Sequence, residues 1–311
     1  MALVEETRQA WSSRPAFLLA TIGGAVGLGN LWRFPYVAGE YGGGAFVLMY
    51  LGFVLLVGVP WMAAEMLLGR RGHRSPINAI AALVHDENAK PFWRLIGWIS
   101  IIVPFLGLTY YAVVAGWAID YLGLALRGAF AGFDGSSSGD TFNLRIDEPG
   151  YQATQHGRFV ALTVWVVANG VNNGIERASR VLMPALFVVI LVIVFYGMVA
   201  GDFAGAARFL FNPDFSALTS EAWLVALGQA LFSLGVGVGL MITYSAYMPR
   251  EYSLKTSAIV VCIGDTVAAL LAGFAIFPIV FASGLDPAEG PGLIFVTLPV
   301  AFGNMAGGQF I

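Results

Sequence analysis

Charge is scarce in this chain: Asp, Glu, Lys and Arg supply 11% of its 311 residues, and the formal net charge is −3. Nothing is basic enough to follow a phosphate backbone, which excludes a nucleic-acid role. Cysteine is rarer still. Cys262 is the only one, so disulfides and multi-cysteine metal sites within the chain are excluded, and it reads as a buried bystander. The apolar segments hold no H-E-x-x-H metal set and no G-x-S-x-G nucleophile, so an enzyme is not expected. The start, MALVEETRQAWSSR, lacks the basic residues and short apolar core of a cleaved signal peptide, and the first apolar segment is expected to stay in the mature protein.

What the chain does have is apolar length. Hydrophobic residues make up 58%, and the mean hydropathy is +0.76, which places the chain in the membrane class. Apolar runs long enough to cross a bilayer fall near 15–40, 44–69, 95–126, 158–173, 179–201, 220–248 and 255–284. They predict an all-α polytopic protein with about seven transmembrane helices. Assigning alternate loops to one side collects Arg8, Arg14, Arg70, Arg71, Arg74, Lys90, Arg94, Arg177, Arg180, Arg250 and Lys255, eleven of the 16 basic residues. By the positive-inside rule that side, with the N-terminus, is cytoplasmic.

Two spans are too irregular for continuous helices. The stretch TIGGAVGLGNLWRFPYVAGEYGGG, 21–44, holds eight glycines, Pro35 and Arg33. Glycine weakens a helix and proline removes a backbone donor, so the first span is expected to break within 21–40. The sixth, 220–248, repeats the anomaly with Gly228, Gly235, Gly237 and Gly239. Glycines that let helices pack closely are the alternative explanation, and it accounts for a matched pair less well than for one span. Dinucleotide binding fails on the G-x-G-x-x-G spacing and on the missing preceding strand. Interrupted spans at corresponding positions of two halves point to the substrate site of an inverted-repeat transporter. With breaks in spans one and six the repeat is five helices: 1–201 is the first repeat, and 202–311 begins the second. Three charges lie deep in the spans. Arg33 is a functional candidate or snorkels outward, Glu65 is close enough to the basic side to pair there, and Asp265 has only apolar and small neighbours.

The segment GGAVGLGNLWRFPYVAGEYGGGAF, followed by AEMLLGRRG, resembles the neurotransmitter:sodium symporter family, whose bacterial amino-acid transporters include LeuT. Tyr110-Tyr111, NNGIERASRVLMP, GQALFSLGVGVGLMITYSAYM and LLAGFAIFP extend the resemblance over essentially the whole chain. It implies the LeuT-like 5+5 inverted-repeat fold, with the first repeat complete and the second incomplete. It also implies a sodium-coupled amino-acid symporter in the cell membrane, with two Na⁺ ions, an amino acid and the lipid bilayer as its partners. A non-transporting amino-acid sensor or an inactive transporter fragment is the alternative.

Site residues follow from the same resemblance. Ala25, Asn30, Ser233 and Asp265 are expected to hold a first Na⁺, with Asp265 at the family's asparagine position. Its fixed charge replaces the chloride that some animal members need, so chloride is not expected to be required. Gly23 and Val26 are the first-helix share of a second Na⁺ site. Leu28, Gly29 and Tyr111 are assigned to the substrate carboxylate, and Ala25, Phe232 and Ser233 to its ammonium. Gly27 stands where monoamine carriers have aspartate, so the substrate brings its own carboxylate. Gly107, Phe232, Gly235 and Val238 set side-chain selectivity, and three small residues among them favour a larger apolar or aromatic amino acid. Arg33 resembles an outer gate, and Arg8, Trp11 and Tyr247 an inner latch. Gly174 and Pro184 mark a segment of the fifth span that unwinds to release an ion, or an ordinary kink. The remaining second-site ligands and the acidic gate partners belong to later helices. Because the chain ends on an apolar stretch too short to span, it is expected to stop before an eighth helix, leaving Arg33 uncompensated.

Overall fold

The computed structural model describes residues 10–284 and 292–304, and these form helices joined by short turns, with no strand among the described residues. The first span is two helices, α1 (Arg14–Ala25) and α2 (Gly29–Glu40), bent by 53° at the break between them. Then come α3 (Gly44–Gly72), α4 (Pro76–Asp86), α5 (Pro91–Leu126), α6 (Gly135–Ile146), α7 (Pro149–Ala168) and α8 (Val171–Ala200). Beyond them lie α9 (Phe203–Phe211), α10 (Ser220–Leu234), α11 (Leu240–Ser245), α12 (Leu254–Ala282) and α13 (Leu298–Asn304).

Four helices, α3, α5, α8 and α12, are each long and apolar enough to cross a membrane, and the bent α1–α2 pair makes a fifth crossing. The other two expected crossings are helical, but they are not among the helices long and apolar enough to cross by themselves. α7 begins at Pro149 rather than near 158, and its first half carries Gln152, Gln155, His156 and Arg158. α10 and α11 are separated by residues 235–239, where Gly235, Gly237 and Gly239 all have positive φ, at 60°, 84° and 71°. Those angles suit glycine and strain other residues. Gly228, expected to belong to this break, lies inside α10, so only three of the four glycines interrupt the span.

Stretches expected to be plain loops carry helices of their own. Within the polar region 127–157, Asp134 caps α6: its carboxylate accepts from the Ser137 amide at 2.8 Å, while Ser137 Oγ accepts from the Asp134 amide at 2.9 Å. This reciprocal box satisfies two donors that the first turn leaves open, and the donors around the Asp134 carboxylate, the Ser137 amide first, pull its pKa down to about 2. α4 is amphipathic, burying Ala79, Ile80 and Val84 with Leu68 of α3 and Ile242 of α11.

α12 lies at the centre of the bundle, packed on α1, α3, α8 and α9. Its buried face is largely small residues, Ala268, Ala269, Ala272 and Gly273 among them, and these allow close helix approach without a large apolar driving force. Large apolar side chains are exposed along α5 (Trp98, Ile102, Phe105) and α8 (Leu182, Val192, Val199), as suits surfaces that face lipid or other membrane helices rather than water. One close contact joins α3 to α11. A Cβ added at Gly69 would overlap the Ile242 carbonyl and the Ser245 hydroxyl. Gly69→Ala is therefore expected to destabilise the bundle by about 1–3 kcal/mol, read as a lower melting temperature in detergent; an unchanged melting temperature contradicts this packing.

Candidate functional site

The two breaks meet at the middle of the bundle. α1 ends at Ala25, Val26 turns to extended backbone (φ −67°, ψ 117°), and α2 restarts with a wide π-helical turn from Gly29 to Arg33. Breaking a helix exposes polar backbone, which is costly away from water unless partners are found. Side chains supply them here. The Gly27 amide donates to Asn30 Oδ1 at 3.1 Å instead of reaching back to the Gly23 carbonyl. The Leu28 amide approaches the Tyr111 hydroxyl on α5. The Gly29 carbonyl accepts from Gln229 Nε2 of α10 at 2.8 Å.

Asn30, Ser233 and Asp265, on α2, α10 and α12, are fully buried and bonded to one another. Asn30 Nδ2 lies 2.8 Å from Ser233 Oγ, 2.8 Å from Asp265 Oδ1 and 3.0 Å from the Asp265 carbonyl. Ser233 Oγ in turn donates to Asp265 Oδ2 at 2.7 Å. Three oxygens thus converge on one point, the donor chemistry a hard cation prefers. For Asn30 to join them as a ligand, its amide must turn so that Oδ1 replaces the nitrogen. Ala25, expected in the same set, is buried at the end of α1. Gly23 and Val26 face the other way: a Cβ on Gly23 would meet Met183 of α8 at 2.9 Å, and Val26 packs with Met183 and Ala268.

A cavity of about 360 Å³ opens beside the break and is lined by Gly107 and Tyr111 of α5 together with Phe232, Gly235 and Val238. The expected selectivity residues are thus brought together. Gly27 abuts the same wall, since a Cβ there would sit 3.0 Å from Tyr111 Oη. Gly29 has to be small for another reason: its Cβ would lie 3.2 Å from the Phe232 ring and from Ser233 Cα.

Arg33 is not left without partners, contrary to the sequence expectation. Its Nη1 donates to Gln229 Oε1 at 2.6 Å, and its guanidinium lies 5.6 Å from the Phe232 ring centroid. A neutral amide and a ring face share the charge. Gln229 was missed by sequence reasoning although it bridges Arg33 to the break. The signal was available, because an uncharged amide inside an apolar span needs hydrogen-bond partners. Glu65 also departs from expectation. It pairs with no basic residue among the described residues; Oε1 accepts from the Gly237 amide at 2.5 Å and the Trp61 indole at 3.0 Å, so it holds the second break as Gln229 holds the first.

At the basic-loop end, Trp11 is buried, with its indole donating to the Tyr244 carbonyl at 2.8 Å and its amide to the Tyr247 carbonyl at 3.3 Å. Arg8 lies outside the described residues. A partner not anticipated is Glu176, which accepts from the Ser12 amide and hydroxyl and from Arg180, while Asn172 reaches the Ala10 carbonyl at 3.0 Å. Residues 10–12 are thereby clamped between α8 and the segment after α11. Gly174 is wound into a π-helical turn (Val171–Glu176) and Pro184 lies within the following helix, so this segment is helical here. Gly174 must be glycine because a Cβ would overlap the Val166 carbonyl.

Comparison with known proteins places this geometry. The family model described as "Sodium:neurotransmitter symporter family" matches residues 8–133 and 140–311. The chain belongs to the sodium:neurotransmitter symporter family. Among curated relatives, the chain is 40% identical to the sodium-dependent transporter YhdH of Bacillus subtilis, over 96% of this chain and 65% of that protein. It is 34% identical to the sodium-dependent transporter MJ1319 of Methanocaldococcus jannaschii, over 94% of this chain and 62% of the other. The crystal structure of MhsT in complex with L-phenylalanine superposes with a TM-score of 0.89 at 40% identity, covering 97% of this chain and 68% of that one. The fold is therefore the LeuT-like one, and this symporter-family chain is a multi-pass membrane protein that spans about two thirds of the length of these three proteins.

Gln229 offers a direct check of the site. Gln229→Leu keeps the volume but strips partners from Arg33 and the Gly29 carbonyl, at an expected cost of about 1–3 kcal/mol for each buried group left unpaired. The melting temperature is expected to fall further than for Val225→Ala on the same helix; equal losses contradict a bridging role.

Proposed function

We propose that the chain carries the substrate site and the first ion site of a sodium-coupled amino-acid symporter that prefers larger apolar or aromatic substrates. The observation that supports this most directly is the meeting of two broken helices at the buried Asn30–Ser233–Asp265 cluster, beside a cavity walled by Tyr111, Phe232 and three small residues. Na⁺ is held by Asn30, Ser233, Asp265 and the Ala25 carbonyl, and the charge of Asp265 offsets that of the ion without chloride. The substrate carboxylate lies at the Leu28 and Gly29 amides and the Tyr111 hydroxyl, and its ammonium at the carbonyls of Ala25, Phe232 and Ser233. Amides at the head of a broken half-helix favour an anion, and freed carbonyls favour a cation.

Gly27 leaves room for a substrate that brings its own carboxylate. Gly107, Gly235 and Val238 leave room for a large side chain, and the MhsT complex contains one such amino acid, phenylalanine. A second ion at Gly23 and Val26 is completed by ligands outside this chain. Arg33 with Gln229 acts as the outer gate, and Arg8, Trp11 and Tyr247 form the inner latch. The Gly174–Pro184 segment, wound here, unwinds when the inner ion leaves. Residues 1–201 act as the first inverted repeat and 202–311 as the start of the second, with the basic loops and the N-terminus in the cytoplasm.

The test is uptake of labelled amino acids by the full-length transporter in proteoliposomes. An inward Na⁺ gradient is expected to drive accumulation, with phenylalanine, tryptophan and leucine outcompeting glycine and alanine; the reverse order overturns the pocket assignment. Uptake by the native protein is expected to persist when chloride is replaced by gluconate, whereas Asp265→Asn is expected to make the residual activity depend on chloride. Strict chloride dependence of the native protein contradicts the role given to Asp265.

A further inference from the structure

On the basic-loop side, away from the transport site, α3 and α12 meet along an apolar groove of about 370 Å³, with Pro60, Ala64, Leu67 and Leu254 in its walls and Lys255 at its edge. A second cavity, about 470 Å³, is lined by Leu67, Arg70, Arg71, His73 and Arg250. Leu67 lines both, so the groove and the basic cavity adjoin at that side chain.

The cations there are fixed in place or free to bind. Arg70 Nη1 donates to the Tyr252 carbonyl at 2.8 Å, which holds its guanidinium at the cavity wall. The His73 ring is held by a 3.0 Å bond from Nδ1 to the Ala246 carbonyl. Arg71 pairs with Glu87, but both side chains are at least half exposed, at 50% and 57%, so water and ions compete for that pair. Arg250 is exposed and makes no ion pair among the described residues, although Glu251 is its neighbour in sequence. Three arginines thus face one cavity against a single paired carboxylate. The positive-inside rule explains basic residues scattered over these loops; it does not explain three of them converging where an apolar groove ends.

We propose that this composite cleft binds an anionic phospholipid. The phosphodiester sits between Arg71 and Arg250 with Arg70 behind it, and one acyl chain lies in the α3–α12 groove past Leu67. Guanidinium groups match phosphate oxygens in paired hydrogen bonds, and the groove supplies the apolar surface that a free anion does not need. The site is independent of the transport site, so it stands or falls separately from the proposed function.

The full-length transporter, reconstituted in nanodiscs of mixed phosphatidylglycerol and phosphatidylcholine, is released and weighed by native mass spectrometry. Phosphatidylglycerol is expected to be retained selectively, and millimolar inorganic phosphate is expected not to displace it. R71Q/R250Q removes two exposed cations, each worth about 1 kcal/mol toward an anionic surface, and is expected to cut retention at least tenfold. Ala64→Trp fills the groove without touching a charge and is expected to release the lipid as well, while R71K/R250K restores most of the binding. Equal retention of the two lipids, unchanged retention in R71Q/R250Q, or no effect of Ala64→Trp overturns the proposal. Displacement by inorganic phosphate also overturns it, assigning the cavity to a free anion, and a groove inaccessible in the full-length protein appears as no lipid retained at all.

Discussion

The architecture depends on keeping unwound backbone satisfied inside an apolar bundle. Each polar backbone group buried without a partner costs several kcal/mol in such surroundings, and this chain opens two stretches of it, at 26–28 and 235–239. It closes both with side chains from other elements. Asn30 turns back on the Gly27 amide, Gln229 of α10 reaches the Gly29 carbonyl, and Glu65 of α3 reaches the Gly237 amide. The first break is thus tied to the helix that ends at the second, and the second is tied to α3. Neither half of the site can be altered without disturbing the other.

The same economy explains why so much of the site is glycine. Gly27 and Gly29 bring the first break against Tyr111 and Phe232, and Gly235, Gly237 and Gly239 adopt backbone angles that other residues resist. The charged and polar side chains then fall into two classes. Ser233 and Asp265 present oxygens to one point, where the Asn30 amide nitrogen bonds to them. Arg33 and Glu65 work against neutral partners, an amide and a ring in one case and a backbone amide and an indole in the other. At the basic end, Glu176 with Ser12, Asn172 and Arg180 holds the segment before α1 in place, and with it the packing around Trp11.

Much of this was legible in the sequence, and the reasons are physical. Hydropathy places the long helices because lipid imposes their length; α12 begins and ends within two residues of the expected span, and α5 ends at the expected residue but starts four earlier, at Pro91. Clustered glycines reveal both breaks because their conformational freedom is the cause of the break. What the sequence does not reveal is which distant residue satisfies each exposed group. Glu65 invites pairing with nearby arginines and instead bonds to an amide 172 positions away, and Arg33 finds Gln229 196 positions on. Gly228 shows the limit of composition: it is one of four glycines in its span, and it sits in regular helix. α6 was hidden because its polar, serine-rich sequence looks like loop until Asp134 is recognised as its cap.

The central claim is that Asn30, Ser233 and Asp265 form an ion site whose occupancy is linked to the amino acid beside it. Equilibrium binding of labelled phenylalanine to the full-length transporter, measured across a Na⁺ titration for the native protein and for Asn30→Ala, tests it most directly. Binding by the native protein should require Na⁺ and saturate with it, and Asn30→Ala should shift the Na⁺ requirement upward by at least tenfold, the factor expected when about 1.4 kcal/mol of coupling is lost. Binding that is indifferent to Na⁺, or a Na⁺ dependence that Asn30→Ala leaves unchanged, contradicts the account.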